Sequence, residues 1–147
     1  MLLLGIKNIA PQTLVTNEIA NLGNVYRKYC RKNDCGITTF NFDGTSFTLQ
    51  HKGMYKITIT AVVSGTVAGN VTLQLLENGT PIVGAFATET ITTPTTELRT
   101  MSIDYYVLVD SDCVLGNSTT QAKSYSVQNI GVGSTITNIV TNILKVS

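Results

Sequence analysis

Tryptophan is absent from this 147-residue chain, histidine occurs once, and charge is scarce: 13% of residues are Asp, Glu, Lys or Arg, and the net charge is +1. A disordered chain needs charge and little apolar content, whereas 43% of these residues are hydrophobic, so the composition is that of a folded domain. The near-neutral balance leaves no global field to steer the molecule to nucleic acid or acidic lipid. No apolar run approaches the roughly 18–20 residues of a membrane span. The opening Met1-Leu2-Leu3-Leu4-Gly5-Ile6-Lys7 is too short for a signal-peptide core and has no basic flank before it, so the expectation is synthesis in a cytoplasm without a cleaved signal. Cysteines number three, Cys30, Cys35 and Cys113, where a disulfide-stapled secreted domain prefers an even count. Cys30 and Cys35 flank a candidate hairpin tip, and a bridge fits that geometry; in a cytoplasm two reduced thiols are expected. No repeat, low-complexity tract or Pro/Gly linker splits the chain, which is long enough for one domain with a substantial core.

What the chain does have is Thr, Val and Ile, which favour pleated, half-buried surfaces, and Asn, which serves turns. Phe40 and Phe42 alternate with polar residues up to Asp43-Gly44, and Phe47 and Leu49 follow; this predicts a hairpin with Asp-Gly at its turn. After Gly53, the residues Tyr55, Ile57, Ile59, Ala61 and Val63 share one face and Lys56, Thr58 and Thr60 the other, the mark of a strand with one face on a core and one in water. Val71, Leu73 and Leu75 form the next strand, closed by Asn78-Gly79. Ile82 to Thr93 is a looser, Thr-rich stretch, and Ala85 to Thr96 is taken as loop. Met101, Ile103, Tyr105, Val107 and Val109 share a face, but the opposite face carries Tyr106 and Leu108 beside Thr100, Ser102 and Asp104. From Thr135 to Val146 both faces are apolar, with Ile136, Val140, Leu144 and Val146 on one and Ile139 and Ile143 on the other. The last segment also fits helical spacing; its Ile, Val and Thr content favours strand. Eight to ten short strands at regular spacing predict an all-β, two-sheet jelly-roll sandwich. The outer face of such a sandwich should be wet, so apolar outer residues near Tyr106, Leu108, Ile139 and Ile143 predict a subunit interface.

Chemistry-bearing constellations are sparse. His51 has no histidine or cysteine partner beside it and reads as a turn residue. Asp110-Ser111-Asp112 starts like a calcium loop, but the glycine and distal Glu of that pattern are missing. Glu89, Glu97 and Asp104 are scattered and make no glycosidase pair. Neither a catalytic residue, nor a metal site, nor a cofactor is therefore expected, and the expectation is that the chain is no enzyme. Arg27, Lys28, Arg31 and Lys32 form the one charge cluster, interleaved with Tyr26 and Tyr29. Three uses stay open for it: nucleic-acid contact, which four charges support weakly; docking to an acidic protein surface; or guarding an exposed sheet edge. Residues 1–20 hold Leu2, Leu3, Leu4, Ile6 and Ile9, and are either an arm that adds to another sheet by main-chain pairing or the first strand of the single domain formed by residues 21–147.

The stretch Phe40-Asn41-Phe42-Asp43-Gly44 to Leu49, followed by Gly53-Met54-Tyr55-Lys56-Ile57, resembles the tumour necrosis factor and complement-globular-head superfamily. Val71–Leu75 with Asn78-Gly79-Thr80-Pro81-Ile82 is similar to the following strand and turn in bacterial members, and Ile136 to Val146 to the final strand. The likeness spans residues 36–147. It implies a homotrimer whose three-fold axis is lined by aromatic and aliphatic residues of one sheet, with Tyr105, Tyr106 and the C-terminal strand as candidates. The whole chain also looks like small proteins of the structural gene clusters of tailed phages infecting gut Bacillota, through Gly5-Ile6-Lys7-Asn8, Ala10-Pro11-Gln12-Thr13, Asn21 to Arg27 and a Cys-x4-Cys. That resemblance implies a virion protein, a trimeric head decoration or head-fibre protein on the capsid surface, with the major capsid protein as partner. The absence of a Gly-X-Y stalk favours a short, capsid-hugging trimer. The competing expectation is a receptor- or glycan-binding head of a tail or fibre adhesin, with a host-surface glycan as partner.

Overall fold

A computed structural model describes residues 2–30, 40–49, 52–109 and 123–146. Arg31, Lys32, Cys35, His51, Asp110, Asp112 and Cys113, singled out above, lie outside the described residues. Among those described there are eleven strands and no helix: β1 (Leu2–Asn8), β2 (Gln12–Leu14), β3 (Asn24–Cys30), β4 (Phe40–Phe42), β5 (Ser46–Leu49), β6 (Gly53–Gly65), β7 (Gly69–Glu77), β8 (Thr80–Ile91), β9 (Arg99–Val109), β10 (Lys123–Asn129) and β11 (Ser134–Lys145). They form two antiparallel sheets. The larger has the order β3-β1-β11-β6-β9, with β2 also on β11, and the smaller β4-β5-β10-β7-β8. From β5 onward the chain repeatedly crosses between the sheets, which is the jelly-roll arrangement.

The period-two pattern decides which faces meet. Tyr55, Ile57, Ile59, Ala61 and Val63 of β6 are buried, and between them Lys56, Thr58 and Thr60 face outward. Opposite them, Phe47, Leu49, Val71, Leu73, Leu75, Tyr125 and Val127 line the smaller sheet. Phe47 and Tyr125 stack with ring centroids 5.5 Å apart. The expected turns are present. The Asp43 carboxylate accepts the N–H groups of Thr45 (3.0 Å) and Ser46 (2.7 Å) and so pins the β4–β5 hairpin. Asn78 and Gly79, both at positive φ (51° and 80°), close the β7–β8 hairpin in two residues, as a primed turn requires.

One open alternative is taken up and two sequence expectations change. The apolar N-terminus is no arm: β1 is hydrogen-bonded to β11 on one side and β3 on the other, and Leu4 and Ile6 are fully buried in the molecule's own core. Ile139 and Ile143 are likewise fully buried. A register shift between Ile136 and Asn138 inserts one residue into β11, so the face inverts there. Ile136, Ile139, Thr141 and Ile143 point inward, and Val140 and Leu144 take the outer positions assigned above to Ile139 and Ile143. Finally, Ala85 to Ile91 belongs to β8 and is not loop.

Candidate association face and basic edge

The outer face of the larger sheet is built by register. Leu3 pairs with Leu144, Leu144 with Lys56, and Lys56 with Tyr106; one row on, Met54 pairs with Leu108. Residues paired across strands share a face, so this end of the sheet gathers an apolar stripe. Tyr106 and Leu108 are about half exposed, at 56% and 50%, Met54 and Val146 are also exposed, and Leu3 and Leu144 are half-buried. Lys56 lies 5.8 Å from the Tyr106 ring centroid and 3.5 Å from the Asp104 carboxylate, which orients the tyrosine without covering it. Further along the sheet the same face turns polar, with Thr58, Thr60, Thr100 and Ser102. Of the four residues of β9 and β11 expected at the interface, then, Tyr106 and Leu108 sit in the stripe, and Ile139 and Ile143 lie in the core.

Tyr105 points the other way, half-buried against the core. It helps line an open cleft of about 460 Å³ between β9 and β8, together with Pro81, Ile82, Glu77 and Lys123. Lys123 donates to the Leu108 carbonyl (2.8 Å) and lies 3.9 Å from Glu77. The other Glu77 oxygen accepts from the Tyr125 hydroxyl at 2.9 Å. Burial, and then the hydrogen bond to Glu77 and its charge, push the Tyr125 phenol well above its ordinary range, so it stays a proton donor at any physiological pH. Beside the cleft, β8 exposes Val83 and Phe86. Sequence reasoning missed Met54, Val83 and Phe86, and it named Leu144 without placing it in the interface; Gly84, whose positive φ (85°) allows the bulge that turns Val83 outward, was the local signal in the sequence.

On the far side of the larger sheet, β3 is the edge strand. Val25, Tyr26, Arg27, Lys28 and Tyr29 are all exposed. A register shift between Gly5 and Ile6 makes Tyr26 the additional residue of β3. Its ring lies over Gly5, where a methyl group would come within 2.8 Å of ring carbons, and its hydroxyl donates to Asn142 Oδ1 at 3.0 Å. Lys7 and Arg27 sit 5.0 and 5.9 Å from the ring centroid. A second cleft, of about 400 Å³, runs beside it, lined by Lys7, Asn8, Ile9, Ala10, Val25 and Tyr26 among others. Of the docking candidates, Arg27 and Lys28 are exposed here, Leu3 lies in the stripe, Leu4 and Ile6 are core, and Leu2 opens β1 opposite Lys145 and Cys30.

Among the described residues, two carboxylates are held below their ordinary range, and both serve loops. Backbone N–H groups of Ser46 and Thr45 lower Asp43. Those of Thr93 and Thr92, with Arg99 behind them, lower Glu97 to about 2. Among the described residues, no group of three His, Cys, Asp or Glu side chains is placed to hold a metal ion.

No protein-family model and no curated protein sequence matches the chain. Solved structures do. The globular domain of a zebrafish complement 1qA protein superposes with a TM-score of 0.65 at 10% identity, over 100% of this chain and 98% of that one. Eiger TNF from S. frugiperda gives 0.66 at 6% identity, over 99% and 91%. The PRD1 vertex protein P5 gives 0.54 at 17% identity, over 99% and 97%. At such identities the likeness is one of fold, and the fold of this chain is the jelly roll of tumour necrosis factor and complement head domains.

Proposed function

We propose that the chain is a structural protein of a phage virion, a homotrimer of jelly rolls that binds the outer capsid surface and stabilises it or presents a surface there. The observation that carries this reading is the exposed apolar stripe of Tyr106, Leu108, Met54 and Val146 on the outer face of a sheet that should otherwise be wet. An association surface explains it. The shared fold of a phage vertex protein and the resemblance to tailed-phage structural proteins support the virion setting. The reading includes a capsid-surface location after synthesis in the host cytoplasm, with the major capsid protein as partner. Binding is favoured over catalysis because, among the described residues, the two carboxylates with shifted titration are engaged by their own turns.

The cleft at Tyr105, Glu77 and Lys123 favours a second reading, a receptor- or glycan-binding head, since aromatic and charged groups converge there beside exposed Tyr106.

Light scattering on the purified chain should give the mass of three subunits, and Tyr106→Glu with Leu108→Glu should give the mass of one. Co-sedimentation with undecorated capsids should be saturable. Saturable binding to host cells, with none to capsids, favours the second reading; a wild-type monomer that ignores both removes the proposal.

A further inference from the structure

Ile9 is 75% exposed, and the chain on both sides of it is pinned. Asn8 Oδ1 accepts from the Ala10 N–H at 2.9 Å, and Asn8 Nδ2 donates to the Asn21 carbonyl at 3.0 Å. The Gln12 side chain clasps both main-chain groups of Asn21, at 2.7 and 2.8 Å. Gly23, at a φ of 92°, lies so close to β1 that a methyl group there would collide with the Lys7 carbonyl. The turn after β1 is thus locked to the segment leading into β3, and Ile9 is held outward at the mouth of the cleft of about 400 Å³.

That cleft has three kinds of wall. Ile9, Ala10 and Val25 are aliphatic. Asn24, exposed at the start of β3, brings an amide that both donates and accepts. Lys7 brings an ammonium group 5.0 Å from the Tyr26 ring centroid, and Arg27, outside the cleft, adds a second cation 5.9 Å from the same centroid. The hydroxyl bond to Asn142 holds that ring in place. No acidic residue occurs in β1, β2 or β3. The row through Lys7 continues across the sheet as Val140, Thr60 and Ser102, without an acid. The row through Arg27 reaches Asp104 only four strands away, about 19 Å, which is beyond the screening length, and Asp104 is paired with Lys56.

We infer that this cleft takes the C-terminal carboxylate of a partner protein whose last residue is aliphatic. Aliphatic walls beside a cation call for a carboxylate carried on an apolar group. The Asn24 amide calls for a group that gives and takes a hydrogen bond, as a peptide unit does. A chain end with an aliphatic last residue presents all three together. A sugar acid would turn hydroxyls against Ile9 and Val25 and leave them without partners, and a simple fatty acid would leave Asn24 unused. The cleft is the size of a small-ligand site, so only the terminal residues enter it. No residue of the apolar stripe lines it, so docking here is independent of assembly there.

The probe is N-acetyl-Gly-Gly-Val with a free carboxylate, titrated to 10 mM against the full isotope-labelled chain. Amide shifts should saturate and be confined to residues 7–10 and 21–27. Capping the carboxylate as an amide should weaken binding about tenfold or more, the worth of a charge-assisted hydrogen bond, and Lys7→Gln should do the same. Ile9→Ser should weaken it about fivefold through lost apolar contact. Lys145→Gln, which removes a cation outside the cleft, should leave binding unchanged, and all three variants should keep the wild-type circular dichroism spectrum. Tyr106→Glu with Leu108→Glu should change the light-scattering mass and leave peptide binding intact, so failure of the assembly reading and failure of this one are told apart. Equal binding of the amide-capped peptide, or wild-type affinity in Lys7→Gln, would overturn carboxylate capture. Hexanoate binding as tightly as the peptide would assign the cleft to free acids, and tighter binding of methyl glucuronide would assign it to sugars. Either result overturns the partner-protein reading, as does a titration that shows no saturation by 10 mM.

Discussion

Thr141 stands in the middle of β11 with its hydroxyl fully buried and bonded to no other protein atom, and Ser134 at the start of the same strand does likewise. A buried hydroxyl that finds no partner loses its bonds to water without replacement. Valine has nearly the same shape and the same β-branched preference for a strand. Thr141→Val should therefore stabilise the protein by about 1 kcal/mol, the size of one unmet hydrogen bond, and should shift the urea midpoint upward with no change in slope. A downward shift would mean that the hydroxyl has a partner, such as an ordered water. The same residue explains why the face of β11 was misassigned from sequence. Strict alternation through Ile136, Val140 and Leu144 is broken by one extra residue near Thr137, and no glycine marks the spot. The pattern Ile-x-x-Ile-x-Thr-x-Ile then buries a threonine and turns a valine outward, which no rule of hydrophobicity would choose.

At the scale of elements, polar side chains act as clasps where the ladders are interrupted. Gln74 lies at the register shift between β7 and β8, almost fully buried, and its Nε2 approaches the carbonyls of Leu75, Ile82 and Ala85 at 2.8, 2.8 and 3.1 Å. Gln74→Met keeps the volume but strands those carbonyls. The expected cost is about 2 kcal/mol in chemical denaturation, with the fastest gain in hydrogen exchange confined to β7 and β8. The Glu97 carboxylate closes the loop between β8 and β9 by accepting from Thr92 N (2.8 Å), Thr93 N (3.0 Å) and Arg99. Its folded value of about 2 lies below its ordinary 4.5. The stability it contributes is therefore complete above pH 4.5 and is lost as pH falls toward 2. A thermal-melt series from pH 6 to 2 should show a decline that is smaller in Glu97→Gln, whose melting point at pH 6 should start lower. Elements of this kind were legible in part. β6 was readable because Tyr55, Ile57, Ile59, Ala61 and Val63 are all apolar while Lys56, Thr58 and Thr60 between them are polar, and the hairpin at Asp43-Gly44 because its turn residues are specific. β8 was not, because Thr88, Thr90 and Gly84 imitate loop composition while the strand sits at an edge, where polar side chains on one face are unremarked by the core. The first strand stayed ambiguous because Leu3 and Leu4 are both apolar, and only the partners on either side, β3 and β11, tell a central strand from a free arm.

Across the whole molecule the two outer faces differ in kind. The outer face of the smaller sheet carries Ser46, Thr48, Ser124, Ser126, Thr72, Thr88 and Thr90, with Thr72 and Thr88 bonded hydroxyl to hydroxyl at 2.9 Å and Thr90 donating to Asn70. These polar groups are uncharged and locally satisfied, and the exposed apolar residue on the same face is Phe86. The larger sheet has the apolar stripe at one end, the Lys56–Asp104 pair in its middle and the basic edge at β3. The stripe was foreseen at Tyr106 and Leu108 because an outward apolar pair on β9 is legible in sequence alone, but its other half, Met54 and Leu144, depends on register. If the stripe is covered by other copies of the chain, folding and assembly are linked, and the melting temperature must rise with protein concentration. Between 1 and 100 µM the wild type should gain several degrees, whereas Tyr106→Glu with Leu108→Glu should melt at one temperature throughout. A concentration-independent wild type that nevertheless scatters light as a trimer would place its contacts beyond dissociation in this range, and dilution to nanomolar concentration would then have to release monomers that expose Tyr106 to solvent. A stripe that stays exposed at every concentration would instead assign it to a different protein, for which the capsid surface is the first candidate.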